Sequence, residues 1–172
     1  MKIFYEQVKE EGFNVDLSFS FTEDDDNFDI KSFKGSVNKA GDAYVLSGIL
    51  DMEFSCPCDR CLEKATKHYQ ENIILTLSPL GEYPEMSATG EEGLTDEEAG
   101  MYVTPTDHFD VSELLREEAI LLIPEKRLCR KDCKGICPSC GALLNYETCQ
   151  CGGNIDPRWQ ALGKLKDIKN NK

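Results

Sequence analysis

The segment Tyr44-Val45-Leu46-Ser47-Gly48-Ile49-Leu50-Asp51-Met52-Glu53-Phe54 carries the fold in its period. Tyr44, Leu46, Gly48, Leu50, Met52 and Phe54 alternate with Val45, Ser47, Ile49, Asp51 and Glu53, so one edge of an extended strand meets a core and the other meets water. Upstream, Asn38 to Asp42, with Gly41, supplies a turn from a strand around Ser32 to Val37. Farther back, Val15, Leu17, Phe19 and Phe21 alternate with Asp16, Ser18 and Ser20, and the acidic run Glu23-Asp24-Asp25-Asp26-Asn27 that follows reads as a solvated loop. Downstream, another strand is predicted over Tyr69 to Leu77. Strands joined by short turns make an antiparallel sheet.

Beyond the sheet the pattern changes. Residues 78 to 100 hold Gly, Pro and seven acidic residues with no basic one, and a mobile acidic loop is predicted there. Asp110-Val111-Ser112-Glu113 predicts a capping box, with Asp110 receiving the Glu113 amide. Val111, Leu114, Leu115, Ala119 and Leu122 then follow at helical spacing, as a stripe that lies across the sheet, until Pro124 ends the helix. Near the carboxyl end, Asp156 and Pro157 predict the start of another helix bearing Trp159, Leu162 and Leu165. The fold class is α+β: an antiparallel sheet with a packed helix and a C-terminal Cys-rich metal-binding knuckle.

Charge divides the chain in the same place. Residues 1–123 hold 9 Lys or Arg against 27 Asp or Glu, whereas residues 124–172 hold 10 against 5. An acidic α+β body at 1–123 and a basic Cys-rich module at 124–172 are therefore expected. The body repels phosphate and is suited to a basic protein; only the tail offers nucleic acid a matching sign, through Lys126, Arg127, Arg130, Lys131 and Lys134. No apolar run approaches the roughly 18 residues that span a bilayer, and the first residues lack a secretory h-region, so a cytoplasmic protein without membrane contact is expected.

Nine cysteines fall in two groups. Cys137-Pro138-Ser139-Cys140-Gly141 is the stronger signal, because two thiolates separated by two residues converge on one tetrahedral cation and the following Gly relieves the backbone. Two further ligands are expected from Cys133, Cys149 and Cys151, with Cys129 the least favoured. Four thiolates suit a structural zinc, with iron the lesser alternative, and such a site can supply on the order of 10 kcal/mol of apparent folding energy to a segment poor in apolar residues. Cys58-Asp59-Arg60-Cys61 has the spacing of a possible second half-site, closable by Cys56 and Cys129, and it falls between two strands rather than at the start of a helix as thioredoxin-like pairs do.

Enzyme chemistry has little to stand on. His68 and His108 have no second base beside them, and no Walker loop, dinucleotide fingerprint, nucleophile elbow or His-Glu-x-x-His motif occurs. No catalytic residue and no small-molecule substrate are expected.

Cys58-Asp59-Arg60-Cys61-Leu62, Asp132-Cys133-Lys134-Gly135-Ile136-Cys137-Pro138-Ser139-Cys140-Gly141, Leu144-Asn145, Cys149-Gln150-Cys151 and Asp156-Pro157-Arg158-Trp159-Gln160-Ala161-Leu162 together resemble the bacterial YceD family of large ribosomal RNA subunit accumulation proteins. The resemblance implies a noncatalytic factor for large-subunit ribosome assembly or 23S ribosomal RNA accumulation, working on a ribosomal precursor particle through its RNA, a basic ribosomal protein, or both. Family members that lack the C-terminal cysteines keep the Cys-x-Arg-Cys-Leu segment. This implies that Cys58 and Cys61 have a role separable from the knuckle, and that the knuckle elaborates a sheet able to fold without it. Two other readings stand beside this one: a zinc-dependent protein adaptor unrelated to RNA, and a thiol redox or metal-handling protein.

Overall fold

A computed structural model describes residues 1–79, 101–104 and 107–151. Among the described residues, five strands form the main sheet in the order β2-β3-β4-β5-β6: β2 Phe13–Glu23, β3 Asp26–Ala40, β4 Ala43–Pro57, β5 Lys64–Pro79 and β6 Met101–Thr104. The first four pair antiparallel, but β6 lies parallel to β5, with Thr76 opposite Met101. The expected antiparallel sheet is therefore mixed. A second small sheet pairs β1, Lys2–Phe4, with β7, His108–Asp110, and the helix α1, Val111–Leu121, follows β7 directly.

The alternation around Leu46 holds along β4. Leu46, Leu50, Met52 and Phe54 are buried, while Ile49 on the opposite face is exposed. Phe28, Ile30, Phe33 and Val37 of β3 meet them, and Ile3, Phe109, Val111, Leu114, Leu115 and Ala119 from β1, β7 and α1 close the core from the other side. The helix buries its apolar stripe against the core-facing side of the sheet. Its first turn is capped by Asp110, which accepts from the Ser112 amide at 2.9 Å, with the expected Glu113 amide also turned toward its carboxylate.

The acidic run also differs from expectation. Only Asp24 and Asp25 turn; β2 ends at Glu23 and β3 begins at Asp26, with Glu23 opposite Asp26. A chain reversal needs two residues, and the remaining acidic side chains sit on strand ends where their carboxylates reach water or cations. Asp26 accepts from the Arg127 guanidinium at 2.5 Å. In β3, Ile30 pairs with Met52 but Ser32 pairs with Asp51, so Lys31 is an extra residue bulged out of the ladder. The bulge returns Phe33 to the face used by Phe28 and Ile30. The expected helix from Asp156 and nearly all of the expected acidic loop lie outside the described residues; Ser78 and Pro79, assigned to that loop by composition, end β5.

Candidate metal centres

Cys58 and Cys61 sit where β4 passes into β5. Their turn has a defined frame: the Cys58 amide donates to the Glu63 carbonyl at 2.9 Å, and the Leu62 amide to the Cys58 carbonyl at 2.9 Å. The Cys137 turn repeats it, with Cys137 N–H donating to Ala142 and Gly141 N–H to Cys137, both at 2.9 Å. Gly141 takes φ 73°, and Leu62, at the matching place, takes φ 62°. Both Cys-x-x-Cys segments therefore fold as the same tight turn, which directs paired sulfurs to one side.

The other ligand candidates come from the tail. Cys58, Cys61, Cys129 and Cys133 bring their sulfurs within 4.8 Å of one another, and Cys137, Cys140, Cys149 and Cys151 do the same. The five candidates from which four ligands of one ion were expected thus divide: Cys133 stands in the first group with Cys129, and the other four form the second. Cys56 joins neither; it is buried in the main core. Sequence spacing pointed to the Cys137 half-site but gave no sign that residues 58 and 133 meet, because that contact depends on how the tail returns to the sheet.

The tail is held at that place by polar contacts. Asp59 N–H donates to the Arg127 carbonyl at 2.9 Å, Arg127 N–H returns a bond to the Asp59 carboxylate at 2.6 Å, and Arg60 donates to the Cys133 carbonyl at 2.8 Å. Gly135 passes so close that an added Cβ would lie 3.1 Å from the Arg60 carbonyl, with φ at 77°. Leu128 and Leu143 pack on the buried Cys58, Cys61 and Cys133.

Both groups suit a four-thiolate ion. A tetrahedron with metal–sulfur bonds near 2.3 Å has sulfur–sulfur edges of about 3.8 Å; the sulfurs lie 3.8 Å apart for Cys58–Cys133, 3.6 Å for Cys61–Cys129, 3.6 Å for Cys140–Cys149 and 3.2 Å for Cys137–Cys149. Backbone amides are aimed at them. Burial would raise the Cys58 thiol, but amides of Cys129, Arg60 and Cys61 outweigh it and lower the pKa to about 6. Amides of Ser139 and Cys140 bring Cys137 down to about 6 as well. Cys61 is pushed up to about 12 by burial and by the neighbouring sulfurs, and Cys149 to about 12 chiefly by Cys137. Four sulfurs this close cannot all ionise without a cation among them, and with one they form a closed shell that leaves no position for a reacting water.

The basic residues flanking the first group divide by environment. Arg127 is half-buried between Asp26 and Asp59, and Arg130 lies over the Tyr146 ring and donates to the Asn145 carbonyl at 3.2 Å. Lys126, Lys131 and Lys134 are exposed. His68 and His108 each hydrogen-bond a carboxylate, of Asp51 and Asp107 respectively.

Residues 46–166 match the family described as Large ribosomal RNA subunit accumulation protein YceD. The chain belongs to the YceD family. Both Cys-x-x-Cys turns of this YceD chain fall inside the match. An uncharacterized protein of Mycobacterium tuberculosis is 31% identical over 129 residues, which cover 75% of this chain and 58% of the relative. "Large ribosomal RNA subunit accumulation protein YCED homolog 1, chloroplastic" of Arabidopsis thaliana is 29% identical over 142 residues, covering 71% of this chain and 44% of the plant protein. Its namesake from Zea mays is 26% identical, at 72% and 48%. The chain thus spans about half the length of these relatives. No solved structure matches it, and no helix among the described residues is long and apolar enough to cross a membrane.

Proposed function

We propose that this YceD chain is a noncatalytic accessory factor in large-subunit ribosome assembly, supporting accumulation of 23S ribosomal RNA in the cytoplasm, and that it carries two structural zinc ions. The family match carries the ribosomal part of this reading, and the two four-sulfur groups carry the metal part. Cys58, Cys61, Cys129 and Cys133 would hold one ion, and Cys137, Cys140, Cys149 and Cys151 the other. Zinc is favoured over iron because it accepts a tetrahedral all-thiolate shell without redox change. In this reading the boundary near residue 123 separates an acidic body from a basic module, and the first ion ties the two together. Full occupation adds negative charge at each site, so the basic face presented to RNA reduces to Lys126, Lys131 and Lys134 with part of Arg130. The acidic body remains available to a basic ribosomal protein.

Sedimentation of the intact protein with large-subunit precursor particles tests this directly. Comigration with precursors is expected, and its loss as salt rises is the mark of phosphate contact. Neutralising Lys126, Lys131 and Lys134 together is expected to reduce the slope of log K against log salt by roughly 2, at about 0.7 per single-strand phosphate contact. A protein that stays at the top of the gradient with every precursor fraction rules the assembly role out. Comigration with an unchanged slope removes direct RNA contact through these lysines and leaves the protein-partner route.

A further inference from the structure

Asn145 links the two sulfur groups. It lies between Cys140 and Cys149, inside the loop that closes the second group, yet its side chain points at the first. Its Nδ2 is 3.3 Å from the Cys133 sulfur and 4.0 Å from that of Cys129. The amide cannot be turned around, because its Oδ1 accepts the Lys134 backbone N–H at 2.8 Å, and only the NH₂ end is left for the sulfurs. The backbone on both sides is anchored as well: Leu144 N–H donates to Gly135 at 3.0 Å, Tyr146 N–H to Leu143 at 2.9 Å, and Arg130 to the Asn145 carbonyl. From these contacts we infer that Asn145 is a positioning residue for the first metal centre and makes ion binding at the two centres cooperative.

The physical reason is donation to a charged sulfur. An N–H directed at a metal-bound thiolate spreads its negative charge and fixes its direction, and removing such an outer partner costs about 10- to 100-fold in metal affinity. Here the partner is supplied by a loop whose own shape depends on Cys137, Cys140, Cys149 and Cys151 gathering at one point. An ion at the second centre orders that loop and holds Nδ2 against Cys133; linkage requires that an ion at the first centre favour the second by the same factor. The inference rests on the two-ion reading above and extends it from occupancy to coupling.

Zinc titration of the full-length chain against a chromophoric competitor tests it. The wild type is expected to bind two ions, and N145A to bind two as well, with affinity at the Cys58 group lower by about 10- to 100-fold. Emptying the second centre with C140S/C149S is expected to weaken the first in the wild-type background and to add nothing in N145A. In the cadmium-113-loaded wild type, which needs no substitution, the Asn145 side-chain amide protons are expected to show scalar coupling to the ion at Cys133 and none to the ion at Cys137. Two ions bound with unchanged affinity in N145A, additive effects in the double variant, or no coupling to cadmium overturns the inference alone. A wild type that binds no ion overturns it together with the two-ion reading.

Discussion

Leu62 bears a backbone cost that Gly141 avoids at the matching position of the other turn. Its φ of 62° lies in the left-handed region, and the side chain is 69% exposed, so little burial compensates. Replacing it by glycine removes about 1–2 kcal/mol of left-handed strain and returns part of that as glycine's extra freedom in the unfolded chain. L62G is expected to stabilise the fold by a net of about 0.5–1 kcal/mol and so to raise the thermal midpoint, and calorimetry checks it; an unchanged or lower midpoint contradicts the strain argument. Asp110 shows the opposite balance. Burial pushes its carboxyl up, but bonds from the Met1 amine and the Ser112 amide hold it below the ordinary carboxylate range. A lowered folded value stabilises the fold above the unfolded pKa of about 3.9 and is lost as the pH falls through the folded value. D110A should therefore cost about 1 kcal/mol at neutral pH, and denaturant midpoints should converge with those of the wild type in acid. That Asp110 begins the helix and draws the Glu113 amide was legible from its place before an apolar 3.6-residue period; that the Ser112 amide donates as well was not, because the first turn offers more than one.

At the scale of elements, β4 was readable because its alternation is unbroken, whereas the first part of β3 was hidden by its bulge. Ile30 and Phe33 both face the core although three positions separate them, and a period of two fails at that step. The acidic residues beside it added a loop-like composition. Lys31 is therefore a spacer, and its length in the chain matters more than its side chain. Deleting Lys31 reverses the facing of everything on one side of it and should abolish cooperative unfolding, while K31A, at a half-exposed site, should stay within about 0.5 kcal/mol of the wild type. Cooperative unfolding of the deletion variant at the wild-type midpoint would show that the bulge does not set the register. Gly35 and Gly48 face each other on β3 and β4, and a Cβ on Gly48 would lie 2.7 Å from the Gly35 Cα and 2.7 Å from the Phe33 ring. G48A is expected to cost about 1–3 kcal/mol by overpacking, read from chemical denaturation.

For the whole molecule, the tail meets the sheet mainly through the first sulfur group, Asp59, Arg60 and Arg127, with few large apolar side chains between them. Chelation is expected to release residues 124–151 to protease while leaving a resistant fragment ending near residue 123, because the sheet and helix share a core that does not include the second sulfur group. Full protection of the tail in excess chelator would show that ions do not hold it. The sequence by itself determined the strands with an unbroken period, the helix after Asp110, the split of charge and the Cys137 turn, since each is set by neighbours a few residues apart. Tertiary structure alone decided that β6 runs parallel to β5, that Cys133 belongs with Cys58 rather than with Cys137, and that Asn145 faces the other centre. These are contacts between segments far apart in the chain, and their register follows from how the core closes and where the tail returns, which no local spacing encodes.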